Sequence, residues 1–355
     1  MEWKSLQKIL LSKIRLIMFN KLISKKIWRE IEKARNILLT FHPSPDADSV
    51  GSNLALYQVL SKMGKNVTVL AGDSEYPKNL LSLPGSDKVF PKNFFQIDQN
   101  NYDLFIITDI SDKKQISKQG NVVISKKLKT IIIDHHPTNS KFAKINLVND
   151  KAPATCQIIY DILKVNKIKI TKNIAACLFI GLYADTGGFK YLNTNYKTYL
   201  IASELTKIYP SFNKLIFNLE NSDQPDRLKF LSLMLGSINT YLSEKVAIAS
   251  IDFETTQKNN ISSDVINGSD IANMIKSVIG WEIGLSLIEI QPNLIKVSFR
   301  TRDSEKYDLT KISVALGGGG HKSAAGATIN DMSLSQAKDL IIAKICQVYP
   351  KIDKI

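Results

Sequence analysis

Apolar residues fall along this chain in two rhythms. Short, mostly apolar runs occupy residues 36–41, 66–71, 104–108, 130–133 and 143–148, and runs of that length read as buried strands. Apolar positions at helical spacing fill the longer segments at about 49–63, 154–163 and 174–183. Strand alternating with helix over this length predicts an α/β fold with a doubly wound, mainly parallel sheet. Past residue 241 the pattern changes. Longer strand-like runs at 245–253, 282–289 and 294–300, with helices at about 268–279 and 333–347, predict a second, smaller mixed α/β domain. The expected division is a basic amphipathic extension over 1–24, a first domain over 25–210, a helical linker over 211–241 broken near Asn221–Pro225, and a second domain over 242–355.

Composition narrows the class. With 355 residues and 44 % hydrophobic content the chain can bury two cores. No apolar run approaches the roughly 20 residues of a membrane span, and no secretory signal is visible. The extension, with Ile9, Leu10, Ile14, Ile17 and Leu22 among basic residues, reads as an added helix or a partly disordered segment rather than a membrane-lying helix, and Met18 is an alternative start. Cys156, Cys177 and Cys346 lie far apart on apolar segments, as core residues in a reducing compartment do; a cytoplasmic location is expected. The net charge of +14 favours polyanionic ligands, although much of it is lysine of a compositional kind.

The chain has only four histidines, His42, His135, His136 and His321, and each stands beside carboxylates or glycines. The run Thr130–Ile133 closes in Asp134-His135-His136, and alternation along extended backbone predicts that the two rings point to different sides. Prolines keep His42-Pro43-Ser44-Pro45-Asp46-Ala47-Asp48 out of helix and sheet until a helix begins near Ser49. Ends of strands and helices thus bring His42, Asp46, Asp48, Asp109, His135 and Asp185 to one edge, while Asp112 reads as solvated. Four gathered carboxylates repel one another unless cations sit between them. Oxygen and imidazole donors together suit manganese best, with zinc, cobalt or iron as other choices. Six donors suit two ions sharing a carboxylate, about 3.5 to 4 Å apart, which activate water and hold phosphoryl oxygens. Phosphoester hydrolysis is the leading chemistry. In the second domain Arg300 and Arg302 share a strand face by the period of two, and Gly317–Gly320 before His321 predict a backbone nest for an anion.

Pro45-Asp46-Ala47-Asp48-Ser49, Thr108-Asp109, Asp134-His135-His136 and Ala184-Asp185-Thr186-Gly187 resemble the four motifs of the DHH phosphoesterases. Val297–Arg302 and Gly317–Gly326 resemble the DHHA1 domain that accompanies them, so the likeness runs from about residue 30 to 330. The resemblance implies a first metal on His42, Asp46 and Asp109, and a second on Asp48, Asp109, His135 and Asp185, with Asp109 bridging. It implies that His136 faces the substrate phosphate and that Asp134 orients its neighbours, which with Asp109 makes three catalytic positions. Arg300, Arg302, Gly318, Gly319, Gly320 and His321 would hold the nucleotide, in a cleft closed by the linker. The compact form resembles the nanoRNases, also described as bifunctional oligoribonuclease and pAp phosphatase proteins. Very short RNA, linear dinucleotides such as pApA, and pAp are the implied substrates, and a homodimer the implied assembly. Type II pyrophosphatases and membrane-anchored cyclic dinucleotide phosphodiesterases fit less well. A RecJ-like single-strand DNA exonuclease and a non-catalytic nucleotide-binding protein remain as alternatives.

Overall fold

The computed structural model describes residues 2–267 and 271–353, and the chain divides into two compact units, Met1–Ser222 and Asp223–Ile355. The first unit runs α1 (Glu2–Lys33), β1 (Asn36–Thr40), α2 (Ala47–Lys62), β2 (Asn66–Leu70), β3 (Val89–Phe90), β4 (Leu104–Thr108), β5 (Lys129–Asp134), β6 (Ile145–Val148), α3 (Thr155–Val165), α4 (Lys172–Asp185), α5 (Tyr196–Ile208) and α6 (Phe212–Glu220). Its six strands form one sheet in the order β3-β2-β1-β4-β5-β6, every pair parallel. A parallel sheet is buried on both faces, and the alternation shows it. Ile37, Leu39, Ile106, Ile131 and Ile133 pack into a core shared with the helices, whereas Leu38, Phe105, Ile107 and Ile132 pack with Phe94, Ile116 and Val122 on the other side. That second face is covered by the loops and 3₁₀ turns of 73–128.

The strand order reverses between β1 and β4, because β1 carries β2 on one side and β4 on the other. Carboxyl ends of strands at such a switch point form the crevice where open α/β sheets take ligands. Two glycines bring the helices close below it. A Cβ on Gly51 of α2 would lie 2.4 Å from the Cys177 carbonyl of α4, and one on Gly181 of α4 would lie 2.4 Å from Cys156 Sγ and 2.8 Å from Asp48 Oδ1.

The second unit comprises α7 (Pro225–Gly236), β7 (Asn239–Tyr241), β8 (Val246–Ile251), α8 (Phe253–Lys258), α9 (Ser263–Asn267), α10 (Ile271–Lys276), β9 (Ile283–Gln291), β10 (Leu294–Thr301), α11 (Thr310–Ala315), β11 (Gly319–His321), β12 (Ala324–Asn330) and α12 (Leu334–Val348). Its sheet, β11-β12-β10-β9-β8-β7, is antiparallel except between β8 and β9. Val246 and Ile248 face one core with Ile341 and Ile345, while Ala247, Ala249 and Ile251 face another with Phe230 and Met234.

Several expectations shift. The extension does not stop at residue 24 but runs on as one helix, Glu2–Lys33, whose Ile27, Trp28 and Ile31 are core residues. Within 211–241, α6 packs through Leu215 on the first unit's core and α7 through Phe230 and Met234 on the second's, and Asn239–Tyr241 is a strand. The helix expected at 268–279 is seen as Ile271–Lys276, and residues 268–270 lie outside the described residues. The helix α5 had no counterpart in the apolar rhythm, although Asn195 caps it by accepting from the amides of Lys197 and Thr198. Strand β12 hides in Ala-Ala-Gly-Ala, residues too small to look like a strand. Among the described residues no helix is long and apolar enough to cross a membrane.

Candidate metal centre

The site assembles where the central strands stop. His42 lies two residues beyond β1, Asp109 one beyond β4, and His135 and His136 one and two beyond β5; Asp46 caps α2, Asp48 lies in its first turn, and Asp185 closes α4. All six expected donors, together with His136, come together. Three sets of donor atoms each lie within 4.8 Å: His42, Asp46 and Asp109; Asp48, His135 and Asp185; and Asp109, His135 and His136.

Asp109 is the hinge of the arrangement. It takes left-handed backbone, φ +58°, one residue past the end of β4, a conformation uncommon outside glycine that aspartate tolerates better than most. Oδ2 lies 3.6 Å from His42 Nε2 on one side and Oδ1 lies 3.5 Å from His135 Nε2 on the other. Thr155 Oγ1 donates to Oδ1 at 3.1 Å and fixes the carboxylate from behind. His135 Nε2 also lies 3.2 Å from Asp185 Oδ2. The His42 Nδ1–H donates to the Pro43 carbonyl at 3.1 Å, which directs Nε2 at Asp46 and Asp109. Asp46 accepts from the amides of Asp48 and Ser49 through Oδ1, so the same carboxylate caps α2 and faces the site.

Asp48 has a second employment. Its Oδ2 accepts from the amide of Thr155 at 2.6 Å and its Oδ1 from that of Cys156 at 2.9 Å. These are the first amides of α3, whose own cap position, Ala154, has no side-chain acceptor. Asp134 is fully buried and held by Asn139 Nδ2, 2.6 Å from Oδ2, and by His136 Nδ1, 2.8 Å from Oδ1.

One expectation is corrected here. The rings of His135 and His136 do not point to different sides: their centroids lie 4.4 Å apart, and both reach Asp109 Oδ1, at 3.5 and 3.7 Å. Strand β5 ends at Asp134, so the period of two does not extend to the histidines. His136 is the more open ring.

The electrostatics are those of crowded, buried carboxylates and imidazoles. Burial pushes the Asp48 and Asp185 carboxyls well above the ordinary range, and neighbouring carboxylates push further. Burial would lower His42, but its bonds with Asp109 and Asp46 outweigh this and push it up to about 10. His135 is held below its ordinary value by burial, against the pull of Asp109, which favours the neutral imidazole that ligates metals. The Asp134 hydrogen bond raises His136, while at Asp134 itself the bonds from His136 and Asn139 overcome burial and lower the carboxyl. Mixed carboxylate and imidazole donors crowded in this way fit divalent cations.

The second unit treats its motif residues differently. Gly317 and Gly318 end α11, with the Gly317 amide donating to the Val314 carbonyl and the Gly318 amide to the Ser313 carbonyl, the double bond of a Schellman turn. Gly319, Gly320 and His321 form the edge strand β11 against β12. A Cβ on Gly318 would lie 2.0 Å from the Gly326 carbonyl, so that glycine permits strand packing. The expected nest is therefore replaced by a helix end and a hairpin. Arg300 and His321 are both in register with Ala324, one on either side, and so share a face of the sheet. Arg302 lies past the end of β10, where its Nη1 donates to the carbonyls of Lys276, Ser277 and Val278 at the end of α10. The pair expected on one strand face is thus divided.

Sequence reasoning passed over Thr155, Asn139, Gly51 and Gly181. Asn139, three residues past the histidine pair, had the only local signal, that of an amide close to a carboxylate.

Residues 36–182 match the model of the DHH family, N-terminal domain, and residues 243–349 match that of the DHHA1 domain. The chain belongs to the DHH family. It is a phosphoesterase of that metal-dependent family, with a DHHA1 domain in its second unit. The bifunctional oligoribonuclease and PAP phosphatase NrnA of Thermus thermophilus is 25 % identical over 309 residues, covering 87 % of this chain and 89 % of that protein. Its namesake in Mycoplasma genitalium is 27 % identical over 322 residues, covering 89 % and 95 %. An exopolyphosphatase-related protein from Bacteroides fragilis shares the fold, with a TM-score of 0.83 and 23 % identity over 94 % of this chain and 98 % of its own.

Proposed function

We propose that this chain hydrolyses very short RNA and linear dinucleotides such as pApA to mononucleotides, and pAp to AMP, with two divalent ions of which manganese fits best. Asp109 carries the reading. Its two carboxylate oxygens face His42 and His135 separately, so one side chain serves both donor sets. His42, Asp46 and Asp109 would hold one ion, and Asp48, Asp109, His135 and Asp185 the other. When bound, the pair supplies Lewis acidity and an ionised water for in-line displacement at phosphorus.

The protein's own groups supply the rest. Thr155 keeps Asp109 from rotating, and Asn139 keeps Asp134 in place to orient His136. His136, partly open to solvent and with its proton affinity raised by its bond with Asp134, would donate to a phosphate oxygen. In the second unit Arg300 and His321 offer cationic and hydrogen-bonding contacts on one sheet face, suited to the remaining phosphate or sugar. The similarity to proteins named oligoribonuclease and PAP phosphatase over most of the chain supports short RNA and pAp.

The test is manganese-dependent turnover of a 5′-labelled RNA dinucleotide beside pApA, pAp, a 24-residue DNA strand and pyrophosphate, with calorimetric titration of manganese. Preferential cleavage of the dinucleotide with two ions per chain is expected. Progressive shortening of the DNA with the dinucleotide spared would move the protein to the RecJ-like alternative.

A further inference from the structure

Beyond Asp185 the chain makes a turn that its sequence resists. Gly187, Gly188 and Phe189 are all left-handed, with φ of +57°, +67° and +66°. Glycine adopts this freely, whereas phenylalanine does so only when its surroundings insist. Here they do. The Phe189 ring is held among Phe179, Tyr183 and Tyr199, with centroids 6.4, 5.7 and 5.6 Å away. The amides of Lys190 and Tyr191 both donate to the Thr186 carbonyl, at 2.9 and 3.0 Å. Asn193 Nδ2 donates to the Asp185 carbonyl at 3.3 Å and to the Pro153 carbonyl at 3.4 Å. Pro153 stands just before Ala154, the cap position of α3, whose first amides hold Asp48. The turn is therefore tied to the backbone of the metal cluster at both ends.

What this strained turn delivers is Tyr191. A Cβ on Gly187 would lie 2.4 Å from the tyrosine ring, so the ring rests on bare backbone two residues from Asp185. It is nevertheless 57 % exposed, and Tyr196 and Tyr199, farther along the same segment, are exposed as well. Exposed aromatic rings on the segment that leaves Asp185, with Lys190 among them, have the composition of a stacking platform for single-stranded nucleic acid. Every base offers a π face, so such a platform tolerates sequence while demanding a base.

We propose that Tyr191 stacks against a nucleobase of the bound substrate and so positions the nucleotide whose phosphate is cut. This rests on the reading of short RNA as substrate and adds the residue that distinguishes a nucleotide from a bare phosphoester. Stacking on one aromatic ring is worth roughly 5- to 150-fold per base.

The experiment compares kcat/KM for an RNA dinucleotide and for its counterpart with one abasic ribose, in the full chain with manganese, for wild type, Tyr191→Ala and Tyr191→Phe. Quenching of a 2-aminopurine dinucleotide on binding provides a second readout. The expected result is a preference for the base-bearing substrate that falls about tenfold in Tyr191→Ala, with weaker quenching, and is kept in Tyr191→Phe. Equal losses on both substrates, or an unchanged ratio, would overturn the proposal. So would an unchanged ratio with a lower native mass by light scattering, which would assign the ring to contact between two copies. No cleavage of the dinucleotide by wild type would instead overturn the parent reading, and is recognised without any variant.

Discussion

The first unit's sheet is wholly parallel, so its strands all end at one edge, and His42, Asp109, His135 and His136 each stand within two residues of a strand end there. The second unit's sheet is mixed, and its motif residues lie within β10, just past its end and in the β11–β12 hairpin, with much of their bonding capacity spent on the fold. A parallel sheet concentrates functional side chains because loops on one edge converge by construction. In the antiparallel hairpin, glycines are needed first for chain packing. Similar density of motif residues therefore has different meanings in the two units.

The largest test of this contrast removes the shared carboxylate. Asp109→Ala is expected to lose hydrolysis by more than the roughly 10- to 100-fold that loss of a residue supporting a metal ligand costs, while Asn139→Ala stays within that range. Comparable losses in the two variants, measured as manganese-dependent kcat/KM, would deny Asp109 its joint position.

Proton competition follows. Four groups of the first site, His42, Asp48, His136 and Asp185, have their pKa values raised in the folded protein. Raised values mean that the folded state binds more protons than the unfolded one, so metal-free stability falls as pH rises; the His42 contribution, present below its unfolded value of about 6.5, is lost through about 10. Metal must displace those protons, so manganese affinity moves the opposite way, by about tenfold per pH unit for each proton released. Melting curves with EDTA and with manganese between pH 6 and 9 are expected to diverge as pH rises, and curves that stay parallel would contradict the cluster's electrostatics.

The glycine run of the second unit gives a stability contrast. Gly318→Ala is expected to cost about 1–3 kcal/mol, since its Cβ has no room, whereas Gly319 has nothing within 4 Å of a new Cβ and its alanine variant is expected within about 0.5 kcal/mol. Denaturant unfolding separates the two. Smallest is the arginine pair. Arg300→Ala is expected to raise KM several-fold more than Arg302→Ala, whose effect is mainly a loss of about 1 kcal/mol from the capped end of α10. Equal KM effects would return Arg302 to the binding face.

The strands that carry the cluster, the two-unit plan and the carboxylates and histidines that gather there were legible in the chain because each rests on local pattern. Apolar runs stop where carboxylates and imidazoles begin, and prolines mark the loop after β1. Tertiary structure alone decided how the donors are aimed. Asp48 caps a helix 107 residues away, Thr155 steadies Asp109 across 46 positions, and Asn139 reaches the Ile110 carbonyl across 29. The division of Arg300 from Arg302 and the adjacency of His135 and His136 likewise depended on where strands ended, which a period of two does not reveal. Residue type and spacing are properties of a segment, whereas the partner of a hydrogen bond is chosen by the packing of segments far apart in the chain.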